Sequence, residues 1–546
     1  MQASKVKKRS LSSFFAKINW WVVFLLVYAL AVRVFYPLTG SFAFIFDHGK
    51  DSLNVLEMWV AKSPKLVGPW TSIPGFYFGP AWYYFLLGCF LVGQWSPAAP
   101  VWGMIGLALV QVYLANKYFG KVAGVSVAAG TLWVTITTSA WNPYPLTLVT
   151  WLLLVFLQKT ARDKKLTGGI AFWCGLIASL GFHFSSAYAI FYPVILVGSW
   201  WIQRVKWNWK VLVLAICGFG VLFLPQMVFE LRHHFPQTQA VWQYVRGERE
   251  VGDSWSVSKM ATIGQTAVNE WRLAALPDIK TPSVGCNQVL GWLVVIVWLV
   301  IAMRWVKKVK SGQVKPKLVG ECLLFIIVPT MAFGFLHFNV WYLLGMMPAV
   351  VVLVAQMVES EKPIWRWVWM VALLIGGVTT NLREFVWQDV RQVDTFYHQV
   401  DFVWQEVKRL SEGENFSVYV YRPDIYDFHY QYLIMRDARV NGQILPVEFG
   451  YQPGETAYVP MKEKLVVGLE QQASPPEYVF YIVEGRDDEN PYFQQWLTYH
   501  PDFQRAEWVK TIGEGIEIYR VRYEYPVSIL RLDDEGGENG SESLDK

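Results

Sequence analysis

The chain has 546 residues, of which 54% are apolar and only 17% charged, and its formal net charge is +5. A soluble enzyme would carry about 25% charged residues, and the basic residues here fall in short groups between apolar stretches. We therefore expect neither a soluble enzyme nor a nucleic-acid-binding protein. Repeated apolar stretches of bilayer length predict a polytopic α-helical membrane protein.

The N-terminal segment, residues 1–18, is basic, and a long apolar stretch follows it at 19–39. No small-residue cleavage site separates the two, so we expect a retained first span and not a removed signal peptide. Because Lys and Arg near span ends prefer the cytoplasm, the N-terminus is predicted to be cytoplasmic. The segment after this span then begins an outer loop, 40–97.

This loop starts with FDHGKDSLNVLEMW, in which Asp47, Lys50, Asp51 and Glu57 cluster where the chain leaves the bilayer. Asp47 and Asp51 are four residues apart, so on a helix they share one face. Such a pair can bind a divalent cation, or one carboxylate can act as a general base. The alternative is a solvated loop with a helix cap. Lys50 is expected either to bind a phosphate or to neutralise the neighbouring carboxylates.

The topology beyond this loop follows from the basic groups, all of which we place inside. The apolar stretch 79–95 is then predicted to be a re-entrant or interfacial helix within the outer loop, because one more crossing would invert every later loop. Eleven spans result, at 19–39, 98–116, 122–140, 145–158, 167–182, 186–203, 210–229, 287–303, 318–336, 340–358 and 365–381.

Other polar residues collect on the same outer side. They are Asn142 in the WNPYP turn, His183 at the end of one span, and Glu230, Arg232 and His233 at the end of another. Each can be an interfacial anchor or a helix cap. Together they form a candidate substrate-binding set, in which Arg232 and His233 suit a phosphate. Arg33, inside the first span, is expected either to snorkel outward or to pair with the Asp47 loop.

The odd number of spans places residues 382–546 outside. A polar helix (Glu384 to Leu410) leads into strand-like runs at 416–421, 478–485 and 515–523, with further helices at Tyr426 to Asp437 and Pro491 to Tyr499. We predict an extracytoplasmic α/β domain at 382–532. The acidic, Gly/Ser-rich tail at 533–546 is predicted to be disordered.

Three segments in this order resemble a known family: FDHGKDS, TSIPGFYFGPAWYYFLLGCFLVG and NKYFGKVAG. They are similar to the GT-C superfamily of integral-membrane glycosyltransferases, in particular the family-39-like bacterial relatives of protein O-mannosyltransferases and of the aminoarabinose transferase. The likeness covers roughly residues 15–240. It implies transfer of a sugar from a polyprenyl-phosphate carrier to a protein, lipid or glycan acceptor at the outer face of the plasma membrane.

The resemblance also assigns roles. Asp47 matches the acidic residue that acts as general base or metal ligand, with Asp51 and Glu57 as helpers. Family members often carry a second Asp where this chain has Asn142, so a second-carboxylate or metal role is in doubt, and a divalent cation is a candidate cofactor only. The HPP-type start of the next juxtamembrane segment is altered to Phe78-Gly79-Pro80.

The mechanism expected from these residues is an inverting displacement. Asp47 removes a proton from the acceptor as it attacks the anomeric carbon, and Lys50, Arg232 or His233 stabilises the departing lipid phosphate. Two other classes stay open. One is a multi-pass transporter or flippase, against which stand the absence of midplane charges and of repeats. The other is a scaffold that presents residues 382–546.

Overall fold

The computed structural model describes residues 19–71, 73–206, 208–246, 255–314, 316–385, 396–423, 427–454, 459–513 and 515–523. The predictions for the basic N-terminus, 1–18, and for the acidic tail, 533–546, lie outside these residues. The described chain divides into two compact units. The first contains the residues up to Ala43 and Lys62–Tyr397. The second contains Phe44–Ala61 and the residues from His398 onward.

The elements, in chain order, are mostly helical. The α-helices are α1 (Trp20–Thr39), α2 (Phe46–Val60), α3 (Ala81–Val92), α4 (Ala98–Phe119), α5 (Lys121–Ala129), α6 (Thr131–Thr135), α7 (Leu146–Asp163), α8 (Gly168–Gly181), α9 (Ser186–Ala189), α10 (Tyr192–Ile202), α11 (Trp209–Arg232), α12 (Pro236–Val245), α13 (Val257–Ala275), α14 (Val284–Lys310), α15 (Val319–Phe333), α16 (Met347–Glu359), α17 (Pro363–Phe385), α18 (Tyr397–Leu410), α19 (Phe428–Asn441), α20 (Lys462–Val466) and α21 (Pro491–Tyr499). Two 3₁₀ helices cover Val340–Met346 and Pro501–Arg505, and the strands are β1 (Phe416–Tyr421), β2 (Phe449–Gly450), β3 (Tyr478–Glu484), β4 (Glu507–Ile512) and β5 (Ile516–Arg522).

Six helical segments among the described residues are long and apolar enough to cross a membrane: α1, α4, α11, α14, the continuous Val340–Glu359 segment, and α17. They support a multi-pass membrane protein, while the count of eleven crossings stays a prediction. Helix α3 has 12 residues. At 1.5 Å per residue it is about 18 Å long, short of a hydrocarbon core of about 30 Å. Other predicted spans, such as α8 and α15, also form short helices, so the re-entrant or interfacial helix at 79–95 stays a prediction.

The predicted span 122–140 is broken, because Gly130 takes an extended conformation between α5 and α6. Arg33 lies beside this break and is fully buried. Its guanidinium donates to the carbonyls of Val127 (3.1 Å) and Ala128 (2.8 Å) at the end of α5. It also donates to the Thr137 hydroxyl at 2.8 Å. Neither expectation for Arg33 was right, since it caps carbonyls that have lost their helical partners.

Helices α8 and α11 pack with their backbones in contact. An ideal Cβ at Gly175 would lie 1.9 Å from the carbonyl oxygen of Ala215, and one at Gly218 would lie 2.1 Å from the carbonyl oxygen of Phe172. Small residues at helix crossings allow this close approach in membrane proteins. Glycine is therefore required at both positions for steric reasons.

The second unit is built on a five-stranded sheet with strand order β2-β1-β3-β5-β4. β1 pairs in parallel with β2 and β3, and β5 pairs antiparallel with β3 and β4. Every residue of β1 and β3 is buried, so both faces of the central strands are covered. The predicted α/β class and its three strand-like runs are confirmed.

Differences from the predicted elements have local causes. β2 has only two residues, both buried, and is too short to show a strand pattern, while β4, EWVKTI, is largely exposed. The predicted start of a helix at Glu384 was wrong, because α17 continues to Phe385 and α18 begins at Tyr397. Residues 386–395 lie outside the described chain.

The glycine contact between α8 and α11 predicts a steric penalty. Gly175→Ala should lower the stability of the folded protein by about 1–3 kcal/mol, because the new methyl group meets backbone that cannot rotate away. Gly220→Ala, on α11 with no atom within 4 Å of the added Cβ, is the matched control and should unfold no earlier than wild type. Thermal unfolding of the purified proteins in detergent measures both. Equal midpoints for the two variants would contradict this packing.

Candidate functional site

Helix α2, which carries the acidic cluster of the first outer loop, belongs to the second unit. It crosses α19 at Gly49. An ideal Cβ at Gly49 would lie 2.2 Å from the backbone nitrogen of His429 and 2.4 Å from the carbonyl carbon of Phe428. The two helices therefore touch through their backbones, and no other residue type fits at position 49 without displacing one of them.

The polar side chains of α2 are mostly buried. Lys50, Asp51 and Glu57 are each 3–4% exposed, so the alternative of a solvated loop was wrong. Asp47 differs, because its side chain is 25% exposed while its Oδ1 accepts a hydrogen bond from Lys50 Nζ at 2.7 Å. The result is a reachable carboxylate held by a buried ammonium. Of the three carboxylates singled out from the sequence, Asp47 is the one with this geometry.

Glu57 lies about three turns beyond Asp47 on α2 and forms an ion pair with Lys464 Nζ at 2.6 Å. Lys464 is on α20, and its side chain is 62% exposed, whereas that of Glu57 is 5% exposed. Glu57 thus ties α2 to a second helix of the same unit. Its predicted part in catalysis stays a prediction.

A polar network missed by the sequence reasoning lies where β1 and β3 end. Arg422 donates to Glu484 and has its Nη1 3.0 Å from His429 Nε2. Tyr430 donates to the other oxygen of Glu484 at 2.6 Å. Arg422 directly follows the buried run FSVYVY, and Glu484 closes the buried run YVFYIVE. Charged residues at the carboxyl ends of two buried strands were the signal that could have found this network.

The burial of these groups changes their acid–base behaviour. Burial lowers the pKa of His48 to about 4, although the Asp47 carboxylate opposes this change. For Glu484, burial acts to raise the pKa, but the Arg422 charge and the hydrogen bonds to the carboxylate prevail and bring it to about 2. At neutral pH His48 is therefore neutral and Glu484 is ionised.

No three His, Cys, Asp or Glu side chains in the described part of the chain are grouped so that they could hold a metal ion. Asp47 therefore belongs to no such group of three among the described residues. A divalent cation stays a candidate only.

Two predicted substrate ligands of the first unit form hydrogen bonds with its backbone. The Asn142 amide donates to the carbonyl of Phe184 at 3.0 Å. His183 is buried; its Nδ1 accepts from the N–H of Ala81 and its Nε2 meets the carbonyl of Leu222, both at 3.1 Å. Both residues connect helix ends and turns. Their predicted roles in substrate binding stay predictions.

The remaining three candidates lie at the end of α11. Glu230 caps α12, because its carboxylate accepts from the backbone N–H groups of Gln237 and Thr238, each at 2.9 Å. His233 is exposed, bonds to the carbonyl of Phe229 at 2.9 Å and stacks on that ring. Arg232 is exposed as well. The exposed pair thus remains available at the surface of the first unit.

A cavity of about 540 Å³ lies beside this helix end in the first unit. Its walls are largely apolar and aromatic, with Phe76, Phe223 and Trp242 among the lining residues. Gln226 and Glu230 also line it. The Gln226 carbonyl oxygen is buried and accepts no hydrogen bond within the described part of the chain. The largely apolar surface of the cavity suits an apolar chain.

Comparisons with known proteins bear on the fold. No protein-family model matches the chain, and no curated protein matches it in sequence. Among the solved structures that match are ArnT from Cupriavidus metallidurans bound to undecaprenyl phosphate, with 12% identity and a TM-score of 0.56, and the same protein in the apo state, with 11% identity and a TM-score of 0.54. Each match covers 92% of this chain and 98% of the other. The resemblance to transferases of the aminoarabinose type, drawn from three short motifs, is thereby confirmed for the fold.

The depressed pKa values in the second unit predict acid sensitivity. His48 binds a proton near pH 6.5 when unfolded but only near pH 4 when folded, so stability falls as the pH drops between these values. His500 behaves alike, since burial lowers its pKa to about 4. Glu484 adds a loss below its unfolded pKa, toward pH 2.

We therefore expect the thermal midpoint to fall steadily from pH 7 to pH 5. His500→Gln, whose amide can still donate to the Tyr451 carbonyl that His500 contacts, should show a smaller loss over the same range. A midpoint that stays level or rises toward pH 5 would contradict the burial of neutral imidazoles.

The Asn142 hydrogen bond predicts the effect of placing at this position the Asp that the family resemblance leads one to expect. Asn142→Asp should destabilise the protein, because a carboxylate would face the Phe184 carbonyl with no proton to donate. The expected cost is about 1–3 kcal/mol. Thermal unfolding of the purified variant in detergent measures this cost. A midpoint equal to or above that of the wild type would contradict the role of this hydrogen bond.

Proposed function

We propose that the protein is a GT-C-type membrane glycosyltransferase that moves a hexosyl or pentosyl group from a polyprenyl-phosphate carrier to an acceptor. The observation that carries the proposal is the Asp47–Lys50 pair, a partly exposed carboxylate bound at 2.7 Å to a buried ammonium. The ArnT-like fold supports the same class of reaction. The acceptor is a protein, a lipid or a glycan at the outer face of the plasma membrane, with the C-terminal unit on that side.

The pair suits an inverting displacement. Asp47 takes the proton from an acceptor hydroxyl or amine while the acceptor atom bonds to the anomeric carbon. The bond from that carbon to the phosphate oxygen breaks, and its electron pair stays on the lipid phosphate. Such a general base contributes about 10²–10⁴-fold to the rate.

Lys50 has a second part in this mechanism. When Asp47 becomes protonated it loses its charge, and its electrostatic attraction for the ammonium of Lys50 weakens. Lys50 can then interact more strongly with the negative charge that develops on the departing phosphate. The ion pair thereby couples proton uptake to stabilisation of the leaving group.

The first unit supports a lipid-linked substrate. Its cavity near the end of α11 has apolar walls, and α11 is one of the helices long enough to cross a membrane. Arg232 and His233, exposed at the same helix end, are proposed phosphate ligands. A buried apolar chain would contribute about 0.8 kcal/mol per methylene group to binding.

A transporter or flippase remains the second candidate, and one observation favours it. Transporters often bind ions or polar substrates at broken helices, and the chain breaks at Gly130. Arg33, however, already donates to the carbonyls next to this break. A cation would have to displace that guanidinium, which weakens this candidate.

The test is Asp47→Asn, measured as transfer of label from radioactive polyprenyl-phosphate sugars in membranes. We expect a loss of about 10²–10⁴-fold, since an amide cannot accept the proton. Asp488→Asn, at an exposed carboxylate elsewhere in the second unit, is the control and should transfer at the wild-type rate. Undiminished transfer by well-folded Asp47→Asn protein would sink the assigned role.

A further inference from the structure

The crossing of α2 and α19 lies near the point in the sheet of the second unit where the strand order reverses. β1 has β2 on one side and β3 on the other, and the chain visits β2 before it returns to β3. In open α/β sheets such a switch point opens a crevice at the carboxyl ends of the strands, and ligands bind there. The carboxyl ends of β1 and β3 are Tyr421 and Glu484.

In this protein a helix of the chain itself lies at that position. His429, in the first turn of α19, contacts Arg422 just beyond the end of β1. The backbone of the same residue presses against Gly49 of α2. The first turn of α19, which in a soluble protein of this topology would face a ligand, therefore faces the helix that carries Asp47.

A second contact fixes the other end of α2. Glu57 bonds to Lys464 of α20 at 2.6 Å. Gly49 and Glu57 are eight residues apart, which is about 12 Å along a helix. Two attachments at this separation determine the direction of the helix axis and its rotation, and therefore where the Asp47 carboxylate points.

We propose that the second unit positions α2 for the transfer reaction, with Gly49 and Glu57 as positioning residues for Asp47 and Lys50. The proposal rests on the role of Asp47 proposed above. It changes the part given to Glu57, which was expected from the sequence to assist the chemistry. It also gives the second unit a structural task, because the crevice at the switch point holds α2.

Exchanging the charges of the Glu57–Lys464 pair separates positioning from catalysis. Glu57→Lys and Lys464→Glu should each lower the transfer rate, by up to about 10²-fold, because small displacements of a catalytic group cost that much. The double variant, in which the ion pair is restored with reversed polarity, should recover most of the wild-type rate. A carboxylate that took part in the chemistry at position 57 could not be replaced in this way.

Lys464→Glu alters only the exposed member of the pair, so it keeps the test informative if Glu57→Lys does not fold. Rates are divided by the amount of monodisperse protein found by size-exclusion chromatography in detergent. Wild-type rates in Lys464→Glu, or a double variant no faster than the Glu57→Lys single variant, would overturn the proposal.

Gly49→Ala tests the other attachment. The added methyl group meets the backbone of α19, so α2 should shift, and kcat should fall while KM for the donor changes little. Gly88→Ala, in the interior of α3 with no atom within 4 Å of the new Cβ, is the control and should keep wild-type kinetics. A wild-type kcat in Gly49→Ala would overturn positioning through this contact.

The outcomes also distinguish this inference from the proposed function. Full activity in Asp47→Asn removes the role of Asp47 as general base, on which the inference rests. Loss of activity in Asp47→Asn without recovery in the charge-exchanged double variant leaves the function standing and refutes only the positioning role.

Discussion

The first unit is shaped by the need to pair backbone polar groups in apolar surroundings, where an unpaired N–H or C=O is costly. The polar side chains that stand out in its sequence largely meet this need. Arg33 donates hydrogen bonds to the carbonyls at the Gly130 break, and Asn142 donates one to the carbonyl of Phe184. His183 and Glu230 serve backbone groups at helix ends in the same way. A rare polar residue in an apolar bundle is thus first a hydrogen-bond partner.

The second unit uses its polar residues differently. Lys50 and Asp51 are buried on α2, whereas Asp47 on the same helix remains partly exposed. Since burying charge costs free energy that only good partners offset, this arrangement is expensive if its sole purpose is stability. The buried charges have a purpose if they hold the Asp47 carboxylate in position for the acceptor, as the proposed transfer requires. The same contrast explains why Asp47 stands out from Asp51 and Glu57.

Much of the architecture could be predicted from the sequence, because apolar stretches, strand-like runs and three short motifs are local signals. The three motifs indicated the correct fold, although the chain is only 12% identical to the solved ArnT structure. What escaped prediction depends on distant contacts. The break at Gly130 is stabilised by Arg33, almost a hundred residues earlier. The assignment of α2 to the second unit depends on α19, and no pattern within FDHGKDS shows that Gly49 must meet His429.

The discontinuous second unit has a consequence for biogenesis. Glu57 and Lys464 are 407 residues apart in the chain. At a synthesis rate of about 5–20 residues per second, α2 emerges roughly 20–80 s before its partners exist. During that interval the charged side chains and the glycine of α2 that will be buried have no docking surface, while all helices of the first unit after α1 are being made. Chains that end prematurely never acquire that surface, which gives a quality-control system a simple mark of an incomplete molecule.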